Sequence, residues 1–132
     1  MWAMLQGRSN RATYWTLFAV LAGLFLLARV LGVTPPGLGE LALVMLAVPR
    51  LHDLGLTGWL VAMPIAGEIV FVGLLIRANV PVEAMLEAIG LLVVAILAML
   101  VVLGSVPGNR AANRFGEPPA PGSGLLPKRQ RR

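Results

Sequence analysis

The chain has 132 residues, of which 58% are hydrophobic and 13% charged, with a net charge of +5. A soluble domain of ordinary composition is roughly 45–50% apolar and about 25% charged, so this balance points away from a soluble domain. The chain contains no cysteine and one histidine. Disulfides, thiolate metal sites, cysteine nucleophiles and multi-histidine metal centres within one chain are therefore excluded.

The apolar residues fall in blocks separated by short polar motifs, as a hydrocarbon layer about 30 Å thick demands. Residues 1–13 (MWAMLQGRSNRAT) read as a basic N-terminal segment, with Trp2, Met4 and Leu5 able to lie in the membrane interface. The first span is expected at about 14–33. Arg29 follows its apolar run and no A-x-A-like site precedes Thr34-Pro35-Pro36-Gly37, so it reads as an uncleaved anchor. The second span, about 38–54, is short, and Pro49 is expected to kink its inner end. Arg50 to Gly58 follows as a polar elbow, in which Gly55 can take a positive φ and Thr57 can cap the next helix. The third span, about 59–76, carries Pro64 and, at its midpoint, Glu68. The fourth, about 85–103, is the clearest run of Leu, Val, Ile, Ala and Met. Residues 14–116 thus form the transmembrane domain. Residues 117–132, rich in Pro and Gly and ending Lys128-Arg129-Gln130-Arg131-Arg132, read as a flexible basic tail.

The fold expected is all-α, an integral membrane bundle of four transmembrane helices. Four spans place both termini on one side. Nine of the 11 basic residues fall there, against Arg29 and Arg77 on the other. The positive-inside bias makes that side cytoplasmic, and Tyr14, Trp15 and Trp59 fall at the same interface. The basic residues flank hydrophobic blocks, so orientation and attraction to anionic lipid account for them without nucleic acid. The tail reads most simply as a retention and lipid-binding signal.

Three polar motifs gather on the cytoplasmic face. They are Gly7-Arg8-Ser9-Asn10-Arg11-Ala12-Thr13-Tyr14-Trp15, then Arg50-Leu51-His52-Asp53 closing on Gly58-Trp59, then Pro107-Gly108-Asn109-Arg110 with Asn113-Arg114-Phe115-Gly116. In this order they resemble domain-of-unknown-function family 805, a family of small bacterial inner-membrane proteins. Its usual pattern is a Gly-Arg-x-x-Arg-x-x-(Tyr/Phe)-Trp opening, an Arg-Leu-His-Asp segment closing on Gly-Trp, and a terminal Asn-Arg-(Tyr/Phe)-Gly. The resemblance runs from Gly7 to about Pro119 and implies a multi-pass protein of the bacterial inner membrane. It carries no established activity.

Arg50 and Asp53 stand at i, i+3 and can pair if the helix persists, while His52 points elsewhere. One reading is an anchoring elbow, with Arg50 reaching phosphates, Asp53 neutralising it and His52 fixing a turn. The sharper reading is a pocket in which Arg8, Arg11, Arg50, His52, Asp53, Thr57, Asn109, Asn113 and Arg114 bind an anionic headgroup, a small anion or a protein partner. Catalysis would need Ser9 or Ser105 beside His52, and no spacing places either there, so no enzyme, cofactor or metal is expected. Glu68 carries an insertion cost of about 2.5–3.5 kcal/mol. It reads either as a carboxyl hydrogen-bonded across the bundle or in an oligomer contact, or as a proton- or ion-coupled site. Arg29 is expected to meet Glu40, with Glu68 as a second possible partner. The leading functional reading is a small non-enzymatic membrane protein whose cytosolic polar cluster engages anionic lipid or a protein partner. Its rivals are an accessory subunit of a larger membrane complex, a small oligomeric transporter using Glu68 and, third, a lipid-processing enzyme using His52.

Overall fold

A computed structural model describes residues 7–33 and 37–122. The interfacial turn expected around Trp2, the Thr34-Pro35-Pro36 part of the first loop and the Lys128–Arg132 basic run lie outside the described residues. Among the described residues four α-helices follow one another: α1 (Arg11–Val30), α2 (Leu38–Asp53), α3 (Ala62–Arg77) and α4 (Val82–Ser105). A 3-10 turn, Gly58–Val61, leads directly into α3.

Each boundary has a local cause. Asn10 caps α1, its Oδ1 accepting the Thr13 N–H at 2.8 Å. Gly55 ends α2 with φ +77°. That left-handed residue lets the Leu56 N–H reach back to the Leu51 carbonyl at 2.8 Å, as the sequence led one to expect. Asn79 does the same after α3 at φ +50°. Pro81 precedes α4, where a missing N–H costs nothing. Pro49 lies inside α2, which runs through it to Asp53. Arg50, His52 and Asp53 therefore belong to the last helical turn, and the elbow shrinks to the residues between Leu54 and Thr57.

Among the described residues three helical stretches are long and apolar enough to cross a membrane: α1 with 20 residues, Gly58–Arg77 with 20 and α4 with 24. Their outer faces are strongly apolar and open, with Leu26, Val30, Met63 and Leu91 each about two-thirds or more exposed. A surface of that kind is stable only against lipid or another chain. The molecule is a membrane protein. The expected second span does not reach the same standard. α2 has 16 residues, a rise of about 24 Å, which is less than the hydrocarbon thickness.

α2 differs because it is the inner helix. It packs against α1, α4 and the 3-10 turn. Leu43, Leu46, Ala47 and Leu51 make up most of a small core completed by Tyr14, Val61 and Leu100. The N-terminal end of α1, the C-terminal ends of α2 and α4, and the turn opening α3 all meet at one end of the bundle, so successive helices run antiparallel.

Tyr14 locks α1 to α4. It was expected at the interface, but it is buried, and its hydroxyl donates to the Leu100 carbonyl at 2.7 Å. The ring lies on Gly104, where any Cβ would overlap it, and Trp15 closes the space edge-on at 5.5 Å. Gly104→Val is expected to destabilise the bundle by about 1–3 kcal/mol, as overpacking does. Tyr14→Phe is expected to cost about 1 kcal/mol through its lost hydrogen bond. Unfolding of the detergent-solubilised protein measures both, and unchanged stability in Gly104→Val would rule out this contact.

Candidate functional site: a buried Arg–Asp–Arg knot

The polar residues meet at the common end of the bundle, and α2 supplies their centre. Arg50 is fully buried and Asp53 nearly so. One turn apart on the same helix face, they form an ion pair of 2.6 Å between Arg50 Nη1 and Asp53 Oδ2. The second carboxylate oxygen takes another arginine from 45 residues away. Arg8 Nε donates to Asp53 Oδ1 at 3.1 Å, and Arg8 Nη2 lies 3.0 Å from the same oxygen. One carboxylate thus bridges two guanidiniums, each with a side chain at most 1% exposed.

The remaining donors of both arginines go to main-chain carbonyls. Arg50 donates to Ser9 at 3.0 Å, to Leu103 at 3.3 Å and to Val106. Arg8 donates to Ala111 at 2.9 Å, to Gly116 at 3.0 Å and to Asn109. A guanidinium offers five N–H groups in a fixed fork, which is why arginine can tie together several segments. Backbone bonds add to the same knot. The Ser9 N–H donates to the Pro49 carbonyl at 3.0 Å, and the Asn109 N–H donates to the Asp53 carbonyl at 2.9 Å. Among the described residues, no buried side-chain nitrogen or oxygen is left without a partner.

His52 lies on the other side of the α2 end. Its ring stacks on Phe115 with centroids 3.9 Å apart and planes 12° from parallel. Nδ1 lies 3.3 Å from the Gly7 carbonyl, which can only accept, so Nδ1 carries the proton. Nε2 faces Gly58, where an added Cβ would sit 3.0 Å away. Asn113 Nδ2 donates to the His52 carbonyl at 2.9 Å, and Asn113 also closes a small bridge with Gly116. The Arg114 guanidinium lies over the Phe115 ring at 4.7 Å.

Arg8, Arg50, Asp53 and Asn109 therefore meet directly, with His52, Asn113 and Arg114 beside them. Thr57 stays apart, its hydroxyl accepting from its own Trp59 N–H at 3.4 Å. Arg11 is exposed and enters neither ion pair of the knot. It lines a pocket of about 210 Å³ against the knot, with Arg50 and Asp53 in its wall and Arg110, Pro118 and Pro119 around it. Asn10 holds the segment bearing those prolines, donating to the carbonyls of Ala120 at 2.7 Å and Gly122 at 2.8 Å. Neither serine is bonded to His52. Ser9 Oγ donates to Asn10 and Ser105 Oγ to Val101.

Three contributors escape sequence reasoning. Gly108 stands where any Cβ would overlap the Asp53 carboxylate. Phe115 had a visible signal, its place in Asn-Arg-Phe-Gly, but nothing that linked it to His52. The carbonyl acceptors have no side-chain signature at all. Among the described residues no group of three or more His, Asp or Glu could hold a metal ion.

Removing one partner of a buried charge set leaves the others uncompensated. Asp53→Asn is expected to cost about 3–5 kcal/mol. Gly108→Ala, which leaves every charge in place, is expected to lower stability as well by displacing that carboxylate. Unfolding titrations of both variants, with the exposed Arg110→Ala as control, test this. An Asp53→Asn protein as stable as the parent would contradict it.

Comparison with known proteins gives one match. No curated protein and no solved structure matches the chain. One family model, described as "Protein of unknown function (DUF805)", matches residues 37–117. That stretch covers α2, α3 and α4 and ends just beyond the Asn-Arg-Phe-Gly motif, while the motif bearing Arg8 lies before it. The match takes in more than half of the sequence, and the chain belongs to this family of proteins of unknown function.

Proposed function

We propose that this is a non-enzymatic membrane protein that presents the pocket beside the Arg–Asp–Arg knot to anionic lipid headgroups. The reading takes all four helices as crossing the bacterial inner membrane, with both termini in the cytoplasm. α2 has to carry the chain back to the end from which α1 departs. Its three neighbours relieve it of facing lipid along a full hydrocarbon thickness.

The observation that carries the proposal is which cations are free. Arg8 and Arg50 are occupied by Asp53 and by carbonyls, so they are framework. Arg11 and Arg110 are exposed, enter no ion pair among the described residues, and share one pocket at the knot. A phosphodiester placed there would receive charge-assisted hydrogen bonds from two guanidiniums. Its acyl chains would stay in the leaflet. Basic side chains at this level contribute about 1 kcal/mol each toward an anionic membrane surface.

Native mass spectrometry of the protein released gently from its own membrane tests the reading. Phosphatidylglycerol or cardiolipin retained by the parent is expected to be lost, roughly tenfold or more, in Arg11→Ala/Arg110→Ala, with the fold intact. Equal retention would overturn it. A stoichiometric foreign chain instead of lipid would make the protein an accessory subunit, with the pocket as part of the contact.

A further inference from the structure

A second cavity lies away from the knot, between the four helices, with a volume of about 430 Å³. Phe18 and Phe25 of α1 and Ile96 and Leu100 of α4 supply typical walls. The lining is apolar except for two carboxyl groups, Glu40 of α2 and Glu68 of α3. The expected Arg29–Glu40 pair does not form. Among the described residues, neither Glu40 nor Glu68 has an ion-pair partner, and Arg29 and Arg77 are both exposed at the last turns of their helices.

We propose that this cleft binds a small organic cation with an apolar body. The charge complementarity is direct. Two carboxyl groups on different helices line a space to which the described residues bring no cation. Two phenyl rings stand in the same wall, and an aromatic face attracts a cation that has shed its water. The rest of the lining matches hydrocarbon, and the volume falls in the range of drug-sized ligand sites.

The other occupants fit only half of the cleft. A lipid acyl chain fills the apolar part and leaves both carboxyls without a counter-charge. A bare metal ion needs several oxygen ligands, up to six to eight for calcium, and leaves the apolar walls empty. An organic cation satisfies both parts at once. The cleft shares no lining residue with the pocket holding Arg11 and Arg110, so the two proposals stand separately.

The test is equilibrium binding of radiolabelled tetraphenylphosphonium to the full chain in phosphatidylcholine nanodiscs, with empty discs subtracted for partitioning. Saturable binding at one site per chain is expected. Glu68→Gln and Glu40→Gln are each expected to weaken it about tenfold, and the double variant to abolish it. Arg11→Ala/Arg110→Ala is expected to bind as the parent does. Circular dichroism and elution volume establish that each variant is folded. Should one Gln variant fail to fold, the parent and the other single variant still decide. Binding no greater than that of empty discs, or a folded double Gln variant that binds like the parent, would overturn the proposal.

Discussion

Two buried guanidiniums share one carboxylate. Asp53 divides its oxygens between Arg50, one turn before it on α2, and Arg8, which precedes α1. Burying three charges is expensive, and their attraction alone does not recover that cost. Here six main-chain carbonyls complete the coordination of the two arginines. Those carbonyls belong to the segment before α1, the end of α4 and the loop beyond it. The ion triad is therefore also the device that fixes three chain segments against the end of α2.

That constraint accounts for the shape of the bundle. A helix whose last turn holds Arg50, His52 and Asp53 cannot place that turn in lipid. It has to be enclosed, and α1, α4 and the turn leading into α3 enclose it. Enclosure removes the need for a long apolar exterior, so α2 is short while its three neighbours are long and open on their outer faces. The same enclosure gives a division of labour among the basic residues. The buried ones build the framework, and two of the exposed ones, Arg11 and Arg110, line the pocket at its edge.

Much of this was legible in the sequence because it rests on periodicity and local chemistry. The helical blocks follow from apolar runs, the end of α2 from Gly55, and the Arg50–Asp53 pair from their i, i+3 spacing. What stayed hidden depends on distance along the chain. Topology gathers Arg8 and Asp53 at one face, but nothing in Gly7-Arg8-Ser9 indicates that the two will pair, and the carbonyls Arg8 binds carry no side-chain code. Tyr14 looked like an interfacial anchor because tyrosine suits both an interface and a core, and its hydroxyl decides for the core only once Leu100 is in reach. Pro49, whose missing N–H suggests a kink, lies within the helix, and the rest of α2 is held by packing on three sides. The Glu68 carboxyl was conspicuous, but its sharing a cleft with Glu40 depends on how α2 and α3 face each other, which no single-helix pattern encodes.

The knot acts as one unit around Asp53. Hydrogen exchange of the full chain in nanodiscs, read by mass spectrometry for the parent and Asp53→Asn, tests this directly. The Ser9 and Asn109 amides donate into the knot, and the Asn113–Gly116 bridge supplies one of the carbonyls that Arg8 holds. Peptides covering 7–10 and 106–116 are expected to be protected in the parent and to lose that protection together in the variant, while the middle of α4 stays protected. Exchange in those two segments that is fast in the parent, or that responds to the substitution in only one of them, would contradict the account.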